Sequence, residues 1–181
     1  MMTRDDAMAL LQTYQPEPHM LQHALASEAV MRALARHFGE DEQLWSLAGL
    51  LHDLDYPITK GNPEQHGLTS AGLLAGKLPE WAVTAIMAHN SEHTGALPGA
   101  RLDFALRAAE TVTGLITAAA LMRPTGMEGM EVKSLKKKMK DKAFAAAVSR
   151  ERILECERLG LPLDEFLAIA IAAMTPLQRC I

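Results

Sequence analysis

Histidine and acidic side chains recur in or beside apolar segments of this chain. The pair His52-Asp53 follows the apolar run LAGLL, and another acid, Asp55, comes two residues later. The positions that share this setting are His23, His52, Asp53, His66, His89 and Glu110. A polar or charged group costs free energy to bury unless it has a partner. Bound cations would satisfy the whole set together, so the pattern predicts a metal site.

The donor atoms of this set indicate which metals would bind. Imidazole nitrogens and carboxylate oxygens suit Fe, Mn, Co, Ni or Zn, whereas a soft site would use thiolates. Cys156 and Cys180 lack metal-ligand spacing and are too few for a disulfide framework. Successive helical residues are about 100° apart, so His52 and Asp53 can turn toward one ion only where a helix ends.

Two predicted helices carry the first of these residues. Apolar residues recur at helical spacing over residues 20–38, which include His23, and Gly39 follows as a typical helix-ending residue. Asp41 is a typical N-cap for the next helix, EQLWSLAGLLHDL, which is nearly apolar by its final turn. His52 and Asp53 are therefore predicted to lie at the buried end of a helix.

The segments that follow are predicted to alternate between loops and helices. The breaker residues of the segment 56–65 indicate a loop that ends at His66, and SEHTGALPG indicates another. LTSAGLLAGKL and EWAVTAIMAHN are predicted helices, the second ending near His89. A long helix over residues 102–122 contains Glu110 and stops at Arg123-Pro124. Beyond a lysine cluster, helices are predicted across FAAAVSRERILECERLG and PLDEFLAIAIAAM.

The composition favours one all-α domain, a compact helical bundle over residues 1–181. Hydrophobic residues make up 49% of the chain and aromatic residues 4%, which is typical of close-packed helices. A net charge of −4 argues against nucleic acid as a partner. The apolar stretches fall short of the ~20 residues of a membrane span, and no secretory signal is evident. We therefore expect a cytoplasmic protein.

Several stretches, in this order, resemble the HD-domain superfamily of metal-dependent phosphohydrolases, especially its compact HDIG-type members: HALASEAV, LAGLLHDLDYP, HG, AHN and AAETVTGL. The later stretch VKSLKKKMKDKAFAAAVSRE also resembles the tail of a bacterial branch of this family. The resemblance implies a metal-site core at about residues 20–122 and a C-terminal helical extension at about 133–175.

The resemblance also implies the metal ligands. In the family, a first His, the His-Asp doublet and a late Asp hold one ion, and the matching positions are His23, His52, Asp53 and Glu110. Two-metal members add histidines in the interval that His66 and His89 occupy, and Asp53 would then bridge two divalent ions. The late acid departs from the family pattern, because Glu110 is one methylene longer than Asp.

A two-metal site implies hydrolysis of a small phosphorylated substrate, either a nucleotide or another phosphate ester or anhydride. Two ions ~3.5–4 Å apart can activate a water for attack on phosphorus and stabilise the leaving oxygen. Cationic side chains would stabilise the charge that develops, and the candidates are Lys60, Arg123, Lys133 and Lys137. Asp55 is a candidate to orient a water or to protonate the leaving group.

Structural roles are alternatives at several of these positions. His52-Asp53 taken alone can be a helix cap or a buried hydrogen-bonded pair, and His66 can be a surface residue of its loop. His89 can simply favour the dipole at a helix C-terminus. Glu110 can pair with Arg107 within one helix, and the lysine cluster can be a solvated helix face.

Two other functions are compatible with the same ligand set. A minority of the superfamily comprises di-iron oxygenases, which implies oxygen chemistry as one alternative. The second alternative is a non-catalytic nucleotide-binding or regulatory module, because Glu110 stands where the family has Asp. A homodimer would be common for a soluble protein, but the sequence has no signature for one.

Overall fold

The computed structural model of the protein describes residues 2–180 and the side chains of residues 2–177. It confirms the predicted all-α class, since the described residues contain no β-strand and only an isolated bridge between Ala75 and Leu78. The α-helices are α1 (Arg4–Thr13), α2 (Pro18–Phe38), α3 (Glu42–Leu51), α4 (Tyr56–Thr59), α5 (Leu68–Leu74), α6 (Glu80–Ala88), α7 (Ser91–Thr94), α8 (Arg101–Leu121), α9 (Val132–Lys140), α10 (Arg150–Leu154) and α11 (Leu163–Met174). Two 3₁₀ helices cover Glu155–Leu159 and Thr175–Cys180.

The helix ends follow the local chemistry of the sequence. Gly39 ends α2 in the left-handed conformation, at φ +69°, as predicted. The carboxylate of Asp41 caps α3 by accepting from the Leu44 backbone N–H at 2.9 Å. Because α3 ends at Leu51, His52 and Asp53 follow immediately after its last turn. This is the position that the apolar run predicted.

Some elements differ from the sequence predictions. The short helices α4 and α7 lie in the two segments that were predicted to be loops. Pro57 stands in the first turn of α4. Backbone N–H groups in the first turn of a helix have no acceptor within that helix, so a proline there costs no hydrogen bond. The predicted helix at 144–160 begins only at Arg150, because its first residues form turns. The helix α1 was not predicted.

The centre of the molecule consists of α2, α3 and α8. The helix α2 packs most extensively against α3 and then against α8. A β-carbon at Gly49 of α3 would lie 2.7 Å from the backbone oxygen of Ser27, so glycine permits the close approach of these two helices. The arrangement brings the end of α3 beside residues of α2 and α8.

The helix α8 is long and apolar enough to cross a membrane, but 61% of its most apolar 18-residue stretch is buried inside the protein. The segments Arg150–Leu159 and Leu163–Leu177 are long and apolar enough only when they are taken together, and the chain bends by 105° between them. Burial accounts for the apolar character of α8, since a core helix needs apolar residues on most sides. The helices α10 and α11 pack against α8, and α11 also packs against α2.

Candidate metal centre

His52 is held at the end of α3 by the backbone of its own helix. Its Nδ1 lies 2.8 Å from the carbonyl oxygen of Gly49, and the whole side chain is buried. A carbonyl oxygen only accepts hydrogen bonds, so Nδ1 carries the proton. The Nε2 atom of His52 therefore presents a free lone pair.

His23 reaches the same point from α2 and is fixed by Thr113 of α8. The Thr113 hydroxyl donates to the Glu110 carbonyl oxygen at 2.6 Å, so it accepts from His23 Nδ1 at 3.0 Å. As in His52, the proton resides on Nδ1 and the lone pair on Nε2. Sequence reasoning did not identify Thr113, because a threonine in a helix is common and its partner is 90 residues away.

His66 is positioned by Asp55. Its Nδ1 lies 2.9 Å from Asp55 Oδ1, while Asp55 Oδ2 accepts from the backbone N–H groups of Gly67 at 2.8 Å and Ser70 at 2.9 Å. Burial acts against the charged form of Asp55, but these hydrogen bonds outweigh it and lower the pKa of the carboxyl group.

This geometry gives Asp55 a positioning role. The side chain is fully buried, and both carboxylate oxygens are engaged by the partners just described. A carboxyl group with a lowered pKa is also a poor proton donor. Asp55 therefore orients His66, and its predicted role in orienting a water or protonating a leaving group stays a prediction.

His89 completes the set from the end of α6. Its Nδ1 is hydrogen-bonded to the carbonyl oxygen of Ile86, and the side chain is buried. All four imidazoles thus share one arrangement, in which Nδ1 is bound by an acceptor and Nε2 is left for another ligand. Proteins usually orient a metal-binding histidine by placing a hydrogen-bond acceptor at the ring nitrogen that does not bind the metal.

The four Nε2 atoms converge on Asp53. Asp53 Oδ1 lies 3.3 Å from Nε2 of His52, 3.2 Å from that of His66 and 3.4 Å from that of His89. Asp53 Oδ2 lies 3.6 Å from Nε2 of His23. The carboxylate therefore lies in the middle of a ring of imidazole Nε2 atoms.

The cluster divides into two overlapping groups of possible metal ligands. One consists of His23, His52 and Asp53, and the other of Asp53, His66 and His89. In each group the ligand atoms lie within 4.8 Å of one another. The shared residue is Asp53, which has one oxygen nearest His23 and the other nearest the remaining histidines.

The donor chemistry fits cations in both groups. The Nε2 atoms of His23 and His52 are 3.1 Å apart, and so are those of His66 and His89. When both nitrogens of a pair are unprotonated, they cannot form a hydrogen bond, and their lone pairs repel at this separation. Metal–nitrogen bonds of about 2.0–2.1 Å would allow one cation to bind both nitrogens of a pair.

The electrostatics of the cluster favour an ionised Asp53. Burial acts against its charge, but the neighbouring histidines, His52 foremost, hold the pKa of the carboxyl group well below its usual range. Burial likewise lowers the pKa of His66, yet Asp53 and Asp55 together raise it to about 10. The cluster thus favours positive charge, which a proton on His66 supplies and which a bound cation would supply in its place.

Glu110 lies near the cluster but belongs to neither group of ligands. Its Oε1 accepts from the Thr111 hydroxyl at 2.7 Å and lies 3.4 Å from Nη1 of Arg152 on α10. The alternative pairing with Arg107 is also not formed, since that guanidinium binds Glu155 at 2.7 and 2.9 Å. The predicted ligation by Glu110 therefore stays a prediction.

The structure does not bring the four predicted substrate-binding cations to the cluster. Lys60 pairs with Glu17 at 2.7 Å, and Arg123 donates to the carbonyl oxygens of Gly126 and Glu128. Lys133 and Lys137 are exposed on α9. None of the four lines either cavity that borders His23.

Arg152 is the cationic residue that sequence reasoning missed. It lines a cavity of about 480 Å³ together with His23 and Glu110, and its guanidinium donates to Glu92. Its position in the predicted C-terminal helices gave no signal, because only the packing of α10 on α8 brings it to the site.

These features describe a helical protein with two overlapping histidine–aspartate groups that could hold metal ions. The HD-domain family model matches residues 20–122, which is more than half of the chain, and the protein therefore belongs to the HD-domain family. This match confirms the family that the sequence motifs predicted. Membership of the HD-domain family places the chain in a superfamily of metal-dependent phosphohydrolases. No significant match was found among curated proteins or among solved structures.

Proposed function

We propose that this protein is a metal-dependent phosphohydrolase that uses two divalent transition-metal ions. The observation that carries the proposal is the pair of His/Asp groups that share Asp53. Its substrates would be small phosphate esters or anhydrides, with nucleotides among the candidates, and its site of action would be the cytoplasm. Neither nucleic acid nor a membrane surface is required by this chemistry.

In the proposed site, His23 and His52 would hold one ion, His66 and His89 the other, and Asp53 both. Two such ions lower the pKa of a water and stabilise charge on phosphoryl and leaving oxygens. The chain contributes the orientation of its imidazoles, whose Nδ1 protons are bound by Thr113, Gly49, Asp55 and Ile86. Burial of His52, Asp55 and His89 keeps water from competing for these hydrogen bonds.

The test combines metal analysis with turnover. Protein purified without chelator should contain close to two metal equivalents and release phosphate from small phosphate esters, with Mn, Fe, Co, Ni and Zn compared. H52A and D53A should lose both metal and turnover while remaining folded by circular dichroism. H37A is the matched control, since His37 lies on α2 outside both ligand groups.

Other outcomes would contradict the proposal. Undiminished turnover in H52A and D53A would remove the cluster as the catalytic site. Oxygen consumption by the iron-loaded protein without phosphate release would favour an oxygenase. Nucleotide binding without turnover, with one metal or none, would favour a regulatory module.

A further inference from the structure

A second cavity, of about 530 Å³, begins at the metal centre. Asp53 and His23 are among its lining residues, and the rest of its wall comes mainly from α2, α8 and the segment 174–177. Its apolar lining residues include Leu25, Ala118, Leu121, Met127, Met174 and Leu177. This volume is typical of sites for small organic ligands.

The chemistry of this wall contrasts with that of the other cavity that His23 lines. The cavity that contains Arg152 also contains Glu92 and Glu110, so it combines a cationic side chain with two carboxylates. The wall of the 530 Å³ cavity is mostly aliphatic, and its described residues include neither Lys nor Arg. We call the first the charged cavity and the second the apolar cavity.

We propose that the apolar cavity binds the leaving group of the substrate, and that the preferred substrates are phosphate monoesters of uncharged, apolar alcohols. This inference rests on the proposed hydrolase function. The phosphoryl group would lie at Asp53 and His23, and the organic group would extend along α8 past Ala118 toward Leu121. A nucleoside polyphosphate is disfavoured, because its additional negative charges would lie against an apolar wall with no cationic side chain among the described residues.

The reaction balances with water as the only co-substrate. A bond forms between the water oxygen and phosphorus, and the bond between phosphorus and the ester oxygen breaks. One water proton ends on the ester oxygen, so the products are inorganic phosphate and the free alcohol. The apolar cavity contributes by removing the organic group from water, which improves binding in proportion to the apolar area buried.

The first experiment measures kcat/KM of the metal-loaded protein with ethyl, butyl, hexyl and octyl phosphate and with adenosine monophosphate. We expect kcat/KM to rise about fourfold per methylene until the cavity is filled, and octyl phosphate to exceed the nucleotide. A118F, which fills the apolar cavity, should abolish the dependence on chain length. A147F places the same side chain in the charged cavity, at the exposed Ala147, and should retain the dependence.

A second measurement separates this inference from the hydrolase proposal. Binding of octylphosphonate and methylphosphonate, which cannot be hydrolysed, is measured by calorimetry in the same three proteins. If no ester is hydrolysed but octylphosphonate binds at least tenfold more tightly than methylphosphonate, and A118F removes the difference, the cavity assignment stands without hydrolysis. If esters are hydrolysed but neither rate nor binding depends on chain length, or the nucleotide is preferred, the inference is overturned while the hydrolase function stands.

Discussion

At the scale of single residues, the metal centre depends on where four histidines keep their protons. Each Nδ1 faces an oxygen acceptor, namely Gly49 O, Thr113 Oγ1, Asp55 Oδ1 or Ile86 O. Two of the acceptors are backbone carbonyl oxygens and two are side-chain oxygens. A substitution can remove only the side-chain acceptors. Thr113 is the simplest to test, because valine has the same shape without the hydroxyl.

We expect T113V to weaken metal binding at the His23 and His52 group by roughly 10- to 100-fold, the usual effect of losing such a supporting partner. The cause is that His23 Nδ1 loses the acceptor that fixes the ring. Calorimetric titration of the metal-free protein should show one unchanged site and one weakened site. T84V is the control, since the Thr84 hydroxyl on α6 donates to the Glu80 carbonyl oxygen and not to an imidazole. Equal weakening in both variants would contradict the role of Thr113.

At the scale of elements, the site requires α3 to lie very close to α2. Gly49 permits that approach and also supplies the carbonyl oxygen that fixes His52. One residue therefore links the packing of two helices to the orientation of a metal ligand.

We expect G49A to destabilise the protein by about 1–3 kcal/mol, the usual cost of overpacking. The added methyl group would lie 2.7 Å from the Ser27 backbone oxygen and 2.9 Å from Met31 Cγ, so α2 and α3 must move apart. Urea unfolding measures the loss, and a metal titration should show weaker binding as His52 shifts. In contrast, G72A in α5 should be neutral or stabilising, because a β-carbon there has open space. A fully stable G49A protein would show that the helices are not held this closely.

Ion pairs connect α7 and α8 to the C-terminal elements. Glu92 of α7 binds Arg152 of α10 and lies 3.4 Å from Arg107 of α8, which in turn binds Glu155. Burial acts against the charge of Glu92, but a backbone hydrogen bond and the two arginines lower its pKa from 4.5 to about 2. The charged form of Glu92 is therefore favoured by folding.

The pH dependence of E92Q tests this connection. A carboxyl group with a lowered pKa in the folded state stabilises the protein above pH 4.5, and this contribution disappears as the pH falls from 4.5 toward 2. Wild-type protein should therefore melt at a higher temperature than E92Q at pH 7, and the difference should shrink over that window. E64Q, at an exposed loop position, should show no such difference at any pH. A constant gap between E92Q and wild type would rule out an ionic origin.

At the scale of the whole molecule, the cluster concentrates four histidines and an aspartate where α2, the end of α3, the His66 segment and α6 meet. Ligands that bind only the folded state stabilise it by mass action. The unfolded chain separates these residues, so it has no comparable metal site.

We expect a saturating divalent metal to raise the melting temperature by roughly 5–10 °C, as for a ligand at 100 times its Kd in a protein of this size. EDTA should reverse the increase. H52A should lose most of the shift, because His52 is a buried member of the first ligand group, while H37A should retain it. A shift of equal size in H52A would mean that the metal binds elsewhere.

The sequence determined the longer central helices α2, α3 and α8 and the identity of the clustered residues. The apolar residues within 20–38 recur at a spacing that places them on one face of a helix, which must be buried. The residues before His52 are nearly all apolar, so the end of that helix must also lie inside the protein. Because polar residues are costly there, the positions of His23, His52 and Asp53 indicated a shared cation before any coordinates. The structure brings these residues together with His66 and His89.

Tertiary structure alone decided which partner each polar side chain meets. Glu110 has Arg107 three residues away, yet it lies beside Arg152, which is 42 residues distant in sequence. Asp55 was a candidate for proton transfer, but the turn at Gly67 and Ser70 encloses its carboxylate. Long charged side chains reach many positions from one backbone site, so their contacts depend on how helices pack rather than on local periodicity. For the same reason, the apolar cavity beside Asp53 has no signature in the sequence: its walls come from segments that meet only in the folded protein.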